Sequence, residues 1–382
     1  MRFLFKTSYA QDIRLYRHNG DLFWYGLLAL FLIAAPFVLE EYYIGELSFV
    51  FIYAIVGIAL MLLVGFTGQV SLGHAAFLGI GAYAHAYFLK HGVPWLLSVP
   101  LSGLITGAVG FAVGLPALRM TGIYLSIATL AFGEIIDQVF IRWESVTNGF
   151  RGQPVPKPEI FGFVFDDERS FYGLCLVLLI VVTLIAINLL RSPTGRAWVA
   201  IRDSEIAAQS MGVNLAVYKT TAFAVSAFLT GIGGALFAHK IGYLAPDIFT
   251  IILSIQLLLG VVVGGLGSLQ GAFYGAIFVT SLPVLIANLR DGIAPAAHSL
   301  AKLLFLPDDV ANGISASLDS FIHQPGLEPG LFGFILVLFI LLEPLGIYGR
   351  WMKIKLYFSL FPLYKKATFR RQKAYMKSER LR

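Results

Sequence analysis

The chain has 382 residues, of which 58% are hydrophobic and only 13% charged, and its mean hydropathy is +0.78. Soluble domains carry about 25% charged residues, so the composition excludes a soluble globular protein, and the absence of strand-period alternation excludes a transmembrane barrel. A single cysteine, Cys175, excludes an internal disulfide and a multi-cysteine metal site. The net charge of +6 is gathered in a tail, where eleven Lys and Arg from Arg350 to Arg382 face one acid, Glu379. A basic, aromatic tail beside a membrane span points to anionic lipid headgroups rather than nucleic acid.

The expected fold is all-α, a polytopic transmembrane helical bundle of about ten spans. In chain order these are roughly 22–39, 47–66, 71–89, 95–116, 122–140, 171–190, 219–241, 250–268, 271–290 and 331–349. Each is near the ~20 residues that the hydrocarbon core requires. Residues 1–21 form a cytoplasmic segment, 22–349 the membrane domain, and 350–382 a basic cytoplasmic tail. Arg2, Lys6, Arg14 and Arg17 precede the first apolar run, which lacks a small-residue exit site and is followed by Glu40 and Glu41. It reads as a retained anchor. With both termini cytoplasmic, 20 of the 28 basic residues fall on the inner side, as the positive-inside rule requires.

The organising stretch is 65–83, between the second and third apolar runs. Gly65, Gly68 and Gly73 each disfavour helix by about 1 kcal/mol relative to Ala, and Gln69, Ser71 and His74 are poor company for lipid. Broken backbone at membrane depth is tolerated only where protein or a water-filled cavity satisfies it. The stretch is therefore expected to be bent or re-entrant and to line a path. Gln69, Ser71 and His74 would either ligand a substrate or cap the broken helix. Glu134 and Asp137, at i and i+3 on one face of the fifth span, would bind a cation or a substrate amine, or face water beside Arg142. His85, His239 and Lys240 lie near outer ends and are expected to snorkel to the interface. Residues 144–170, with Pro154, Pro156 and Pro158, read as an irregular outer loop, and 291–330 as an extracytoplasmic insertion with short amphipathic helices.

The main inner loop is 191–218. Ser192-Pro193 signals a helix start. Asp203-Ser204-Glu205 signals a second, with Ala207, Ala208 and Met211 as a small-residue face and Gly212 as its left-handed cap. Such a pair suits docking into a groove on a soluble partner or a simple solvated loop. Further on, Gly264, Gly265 and Gly267 open a stretch, 264–275, that echoes 68–79 through Ser-Leu and Phe-x-Gly. Paired Gly-interrupted segments in two halves of a chain point to a substrate path, and the third and ninth spans are both Gly-rich enough to be re-entrant. In the tail, Trp351, Tyr357, Phe358, Phe361 and Tyr364 would anchor an interfacial helix.

Together these segments resemble the permease subunits of bacterial ABC importers for branched-chain amino acids, a family that includes urea permeases. The resemblance is carried by Gly68-Gln69-Val70-Ser71-Leu72-Gly73-His74-Ala75-Ala76-Phe77, by Arg119-Met120-Thr121-Gly122-Ile123-Tyr124-Leu125, and by Thr129-Leu130-Ala131-Phe132-Gly133-Glu134. It continues through Gly195-Arg196-Ala197, Ala200-Ile201-Arg202-Asp203, Met211-Gly212-Val213, Gly231-Ile232-Gly233-Gly234 and the closing Glu343-Pro344-Leu345-Gly346. It covers about 47–288 and 331–349. The family's Thr-Gly-Gly-x-x-Gly after the fifth span stands here as Thr147-Asn148-Gly149-Phe150-Arg151-Gly152.

The resemblance implies a multi-pass protein of the bacterial inner membrane that moves a hydrophobic amino acid inward by alternating access. It implies two ATP-binding cassette ATPase subunits, a second permease subunit and an extracytoplasmic substrate-binding protein as partners. It also implies that Arg196, Arg202, Asp203, Glu205, Ala207, Ala208 and Gly212 belong to the element resting on the ATPases. No Gly-Lys pair occurs in the chain, so it has no phosphate-binding loop of its own. ATP would be bound by the partners, and neither a cofactor, a metal nor an enzymatic activity is expected here. The alternatives are a urea or short-amide permease of the same family and an ion-coupled secondary transporter using Glu134 and Asp137. An enzyme using His74 lacks a second close partner.

Overall fold

The computed structural model describes residues 19–118, 120, 122–303, 324 and 326–360. Most of the N-terminal segment, the middle of the insertion, the end of the basic tail, and Arg119 and Thr121 lie outside the described residues.

The helices are α1 (Asn19–Val38), α2 (Glu41–Leu60) continued by a π-helical turn (Met61–Phe66), α3 (His74–Lys90), α4 (Trp95–Ala117), α5 (Ile123–Arg142) and α6 (Glu168–Arg191). Two short helices follow, α7 (Pro193–Asp203) and α8 (Glu205–Ser210). Then come α9 (Leu215–Ile241), α10 (Ile251–Gly264), α11 (Leu269–Leu303), α12 (Leu327–Leu342) and α13 (Gly346–Leu360). Among the described residues strand is confined to four two-residue pieces. β1 (Gln153–Pro154) pairs antiparallel with β4 (Tyr243–Leu244), and β2 (Glu159–Ile160) with β3 (Phe163–Val164).

Each of the ten predicted segments falls on a helix, but the count of crossing helices is smaller. Seven among the described residues are long and apolar enough to cross a membrane, and eight if α12 and α13, bent by 41° across their break, form one span. The apolar part of α1, Phe23–Val38, is shorter. The third segment falls short because its first residues are not helical, so α3 has only 17 residues. The ninth segment is not re-entrant, since α11 runs unbroken from Leu269 to Leu303.

α2 and α9 form the centre. From Ile44 to Val64 α2 is buried on nearly every side, and α9 is buried from Lys219 to Ala238, as expected of a helix apolar all round. Lipid offers no hydrophobic drive to bring helices together, so close backbone packing must do so. The Gly231-Ile232-Gly233-Gly234 run supplies it on three sides. A Cβ at Gly231 would lie 2.6 Å from Thr106 Oγ1 on α4, one at Gly233 2.7 Å from Val56 Cγ2 on α2, and one at Gly234 2.9 Å from Ala82 N on α3. On α4, Gly103, Gly107, Gly110 and Gly114 face Phe228, Ala224, Phe223 and Thr220 of α9 in the same way.

The connections sort into two groups. At one end α7 touches Gly65 and Gly267 through Arg202, and Gly265 lies against Leu345 and Gly346. At the other end β1 pairs with β4, His239 bonds Pro156 O, and Lys240 bonds Glu168. These are the same two groups of loops that alternating spans would assign to opposite sides of a membrane.

Candidate functional site

The helix that begins at Glu41 stops at Phe66 in a π-helical turn. Gly68, at φ +73°, closes it in the left-handed conformation that favours glycine. The closing bonds are Gly68 N→Val64 O at 3.2 Å, four residues back, and Gln69 N→Leu63 O at 3.1 Å, six residues back. Residues 68–73 are non-helical, and Gln69, Ser71 and Gly73 among them are buried. They run back into the bundle, because His74, the first residue of α3, bonds Ser226 near the middle of α9.

The polar residues of this break bond chiefly one another and the neighbouring helices. Ser226 Oγ donates to Ala59 O at 2.7 Å, so it accepts from His74 Nε2 at 2.9 Å. His74 Nδ1 is then the acceptor for Ser71 Oγ at 2.9 Å, which fixes a neutral Nε2–H tautomer. Thr129 Oγ1 accepts from Leu72 N at 3.0 Å, and Ser254 Oγ from Ala75 N at 2.9 Å. Of the three predicted path residues, Ser71 and His74 are thus occupied at the ring and the hydroxyl. Gln69 is not. Its amide is 4% exposed, and neither Oε1 nor Nε2 has a hydrogen-bond partner. A buried amide left so costs ~1–3 kcal/mol.

The start of the 65–83 stretch meets the second glycine-rich stretch, 264–275, through Gly65 and Gly267. A Cβ on Gly65 would lie 2.8 Å from Gly267 N, and Gly267 N donates to Met61 Sδ at 3.3 Å. Arg202, at the end of α7, reaches into this junction. Its Nη1 donates to Gly65 O at 3.0 Å, while Nε and Nη2 donate to Asp203 Oδ1. Side chains larger than hydrogen at Gly68 and Gly267 would crowd Arg202, at 3.3 Å from Cγ and 3.0 Å from Nη1. The π-turn, like other such turns, lies at a point where a long helix must be interrupted.

The loop 191–218 folds as two short helices. Pro193 is the first residue of α7 and Ser192 the cap position, but the Ser192 hydroxyl bonds back to Leu189 O instead of capping. Ser204 does cap α8, accepting from Ala207 N at 3.2 Å. Gly212, at φ +86°, ends α8 with Val213 N→Ala208 O and Gly212 N→Gln209 O, a Schellman motif. The loop is tied to the bundle by Trp198 Nε1→Tyr218 O at 2.9 Å and by buried Lys219, whose Nζ meets Glu205 Oε1 at 2.7 Å. Arg196 bonds only Arg191 O and is exposed. Of the predicted small-residue face, Ala207 and Met211 are exposed, Met211 at 87%, whereas Ala208 is 3% exposed and turned inward; Ile206 stands out beside them at 83%. Ile206 escaped sequence reasoning because a six-residue helix is too short for a periodic pattern to fix its outer face.

At the other end, Glu134 lines an open depression with Gln138 and Arg142, and Asp137 lies close enough to Glu134 and Asp247 to interact electrostatically. They lie one and four residues beyond Gly133, where α5 packs against the break: Gly133 faces Gly73, and a Cβ on Gly73 would lie 3.3 Å from Phe132 Cδ1. His85, His239 and Lys240 do not snorkel. His85 is fully buried and bonds His239 through its Nε2 at 2.8 Å, Trp95 Nε1 donates to His239 Nε2 at 3.0 Å, and His239 Nδ1 donates to Pro156 O at 2.9 Å. Lys240 is paired with Glu168 at 2.6 Å and lies over the Phe49 ring. Each of these polar groups found a partner on another helix, which costs less than reaching for the interface. Among the described residues no group of three or more His, Cys, Asp or Glu could hold a metal ion.

Comparison with known proteins gives a consistent result. The family described as branched-chain amino acid transport system / permease component matches residues 42–306. The chain is 37% identical over 293 residues to the high-affinity branched-chain amino acid transport system permease protein LivM of Salmonella typhimurium (strain LT2), covering 69% of each. It is 37% identical over 296 residues to LivM of Escherichia coli (strain K12), covering 71% of this chain and 69% of the relative. It is 26% identical over 258 residues to the autoinducer 2 import system permease protein LsrC of an Enterobacter species (strain 638), covering 64% and 70%. No solved structure matches the chain.

Proposed function

The chain belongs to the branched-chain amino acid transport system permease family, and from that premise we propose that it is the membrane subunit through which an ABC importer moves branched-chain amino acids inward. It is a multi-pass membrane protein with no ATPase motif of its own. In this reading two ATPase subunits supply the energy, a second permease subunit completes the pathway, and an extracytoplasmic binding protein delivers the substrate. Both termini are cytoplasmic, the end carrying α7 and α8 faces the ATPases, and the end carrying the β1–β4 pair faces the binding protein.

The observation that carries the ATP-driven reading is the inner loop. Two short helices, anchored by Trp198 and Lys219, hold Ile206 and Met211 exposed without an intramolecular partner. Exposed apolar side chains held on a rigid, otherwise polar element suit a groove on a soluble partner. Within the break, Gln69 is the group we assign to the substrate path, because its amide alone retains unused hydrogen-bonding capacity. Ser71 and His74 hold the broken helix in place. Glu134, exposed on a spanning helix, and its neighbour Asp137 belong on a water-filled surface or a subunit interface rather than against lipid. That placement also fits an ion-coupled transporter.

The test is uptake by proteoliposomes holding the full complex and its binding protein. Labelled leucine, urea and a short amide are offered separately, with and without ionophores that collapse proton and sodium gradients. Leucine uptake at constant internal ATP, unaffected by ionophore, is expected. Uptake of urea or the amide in preference to leucine would move the substrate to the other branch of the family. Loss of uptake on ionophore addition would favour coupling through Glu134 and Asp137.

A further inference from the structure

Three interruptions of membrane helices converge at one place. The first is the π-turn and non-helical stretch after α2, the second the turn 265–268 between α10 and α11, and the third the break between α12 and α13. Gly65 and Gly267 are in backbone contact, and Gly265 is packed against Leu345 and Gly346, where a Cβ at Gly346 would lie 2.7 Å from Gly265 Cα. These contacts are backbone to backbone, so the three interruptions cannot move independently.

One side chain from outside the bundle core enters this junction. Arg202 ends α7, and its guanidinium is shared between two segments of different kind. Nη1 holds the carbonyl of Gly65, and Nε and Nη2 hold the Asp203 carboxylate at the end of its own helix. The carbonyl it takes is one of those that a helix C-terminus leaves without an intrahelical donor, where the helix dipole also favours a cation. Gly68 and Gly267 leave room for the Arg202 stem and head, and any side chain there would push it out. The planar fork of arginine serves both partners at once, which the single ammonium of lysine does not.

We propose that Arg202 is a positioning residue that latches the inner mouth of the permease: it ties the loop carrying α7 and α8 to the π-turn at Gly65, and through it to the other two interruptions packed there, so that movement of that loop is passed to all three. The proposal rests on the ATP-driven reading above, and it adds the residue through which movement of that loop reaches the membrane helices. A guanidinium that merely neutralised a helix end would affect stability alone. A latch affects the coupling between ATP hydrolysis and transport.

The experiment uses the full complex in proteoliposomes, measuring ATP hydrolysed per leucine taken up together with the thermal midpoint of the complex. Arg202→Ala is expected to raise that ratio several-fold, with hydrolysis retained and uptake reduced. Arg202→Lys, which keeps the charge without the fork, and Asp203→Ala, which frees one side of the fork, are expected to fall between Arg202→Ala and wild type. These two also carry the test if Arg202→Ala fails to assemble. An unchanged ratio in assembled Arg202→Lys and Asp203→Ala complexes would overturn the latch. So would a parallel fall of hydrolysis and uptake that tracks a lowered midpoint, which is the signature of a structural cap. Failure of the wild-type complex to take up leucine with ATP would overturn the transport reading itself, and the latch with it.

Discussion

Gly234→Leu is expected to leave no folded protein. Gly234 sits where α9 crosses α3, and its Cα faces the Leu78 carbonyl and the Ala82 amide directly. Ordinary overpacking costs about 1–3 kcal/mol because side chains yield. Here the opposing wall is backbone, and moving it would separate α3 from α9, which is itself held on α4 through Gly231 and on α2 through Gly233. That is a large part of the ~5–15 kcal/mol by which a domain is stable. Even Gly234→Ala is expected to lower the thermal midpoint. Gly173→Leu on α6, where a Cβ meets nothing within 4 Å, is the control and should behave as wild type. Size-exclusion profiles in detergent and thermal midpoints decide the matter. A monodisperse Gly234→Leu protein with the wild-type midpoint would contradict the packing described for the α3–α9 crossing.

Replacing both Ile206 and Met211 by Asp is expected to leave the fold intact and abolish ATP-driven uptake. Both side chains are more than four-fifths exposed, so nothing within the chain is lost on substitution. If they enter an apolar groove on the ATPase, two carboxylates must be desolvated there without partners. Anchor residues at interfaces are worth ~2 kcal/mol or more, and 1.4 kcal/mol is a factor of ten, so uptake should fall at least ~10-fold. Co-purification of the ATPase subunits should fall in parallel, while the thermal midpoint of the permease stays unchanged. Retained co-purification and uptake would place the docking surface elsewhere. Ala208→Leu, by contrast, is expected to disturb the permease itself, because Ala208 is buried.

The bundle and its break were readable from local composition. Gly65, Gly68, Gly73, Gln69, Ser71 and His74 interrupt an apolar run so densely that a continuous helix could not form through them, and it does not. What the break bonds to was not readable. Ser226 lies 152 residues from His74 and Thr129 lies 57 residues from Leu72, and neither residue differs in kind from other hydroxyls in the spans. The similarity of 68–79 and 264–275 was visible, but not that Gly65 and Gly267 touch. The ten-span reading differs from the seven to eight long apolar helices at α1, whose apolar part is short, and at the third segment, where residues 71–73 read as span and yet are not helical, with Leu72 N taken by Thr129. His85, His239 and Lys240 were misplaced because a polar residue near a helix end has the same sequence signature whether it reaches for water or for another helix. Arg202 was legible as part of the inner loop, but its reach to Gly65 depends on how α7 folds back over the π-turn.

The central claim is that ATP hydrolysis by separate subunits drives substrate through this chain. The direct measurement is labelled leucine uptake into proteoliposomes containing the full complex, with ATP on the inner-loop side, against the same complex carrying ATPase subunits whose phosphate-binding lysine is replaced. Uptake that requires ATP and vanishes with the altered ATPase subunits is the predicted result. Concentrative uptake that persists with those subunits, or without ATP, would contradict the account.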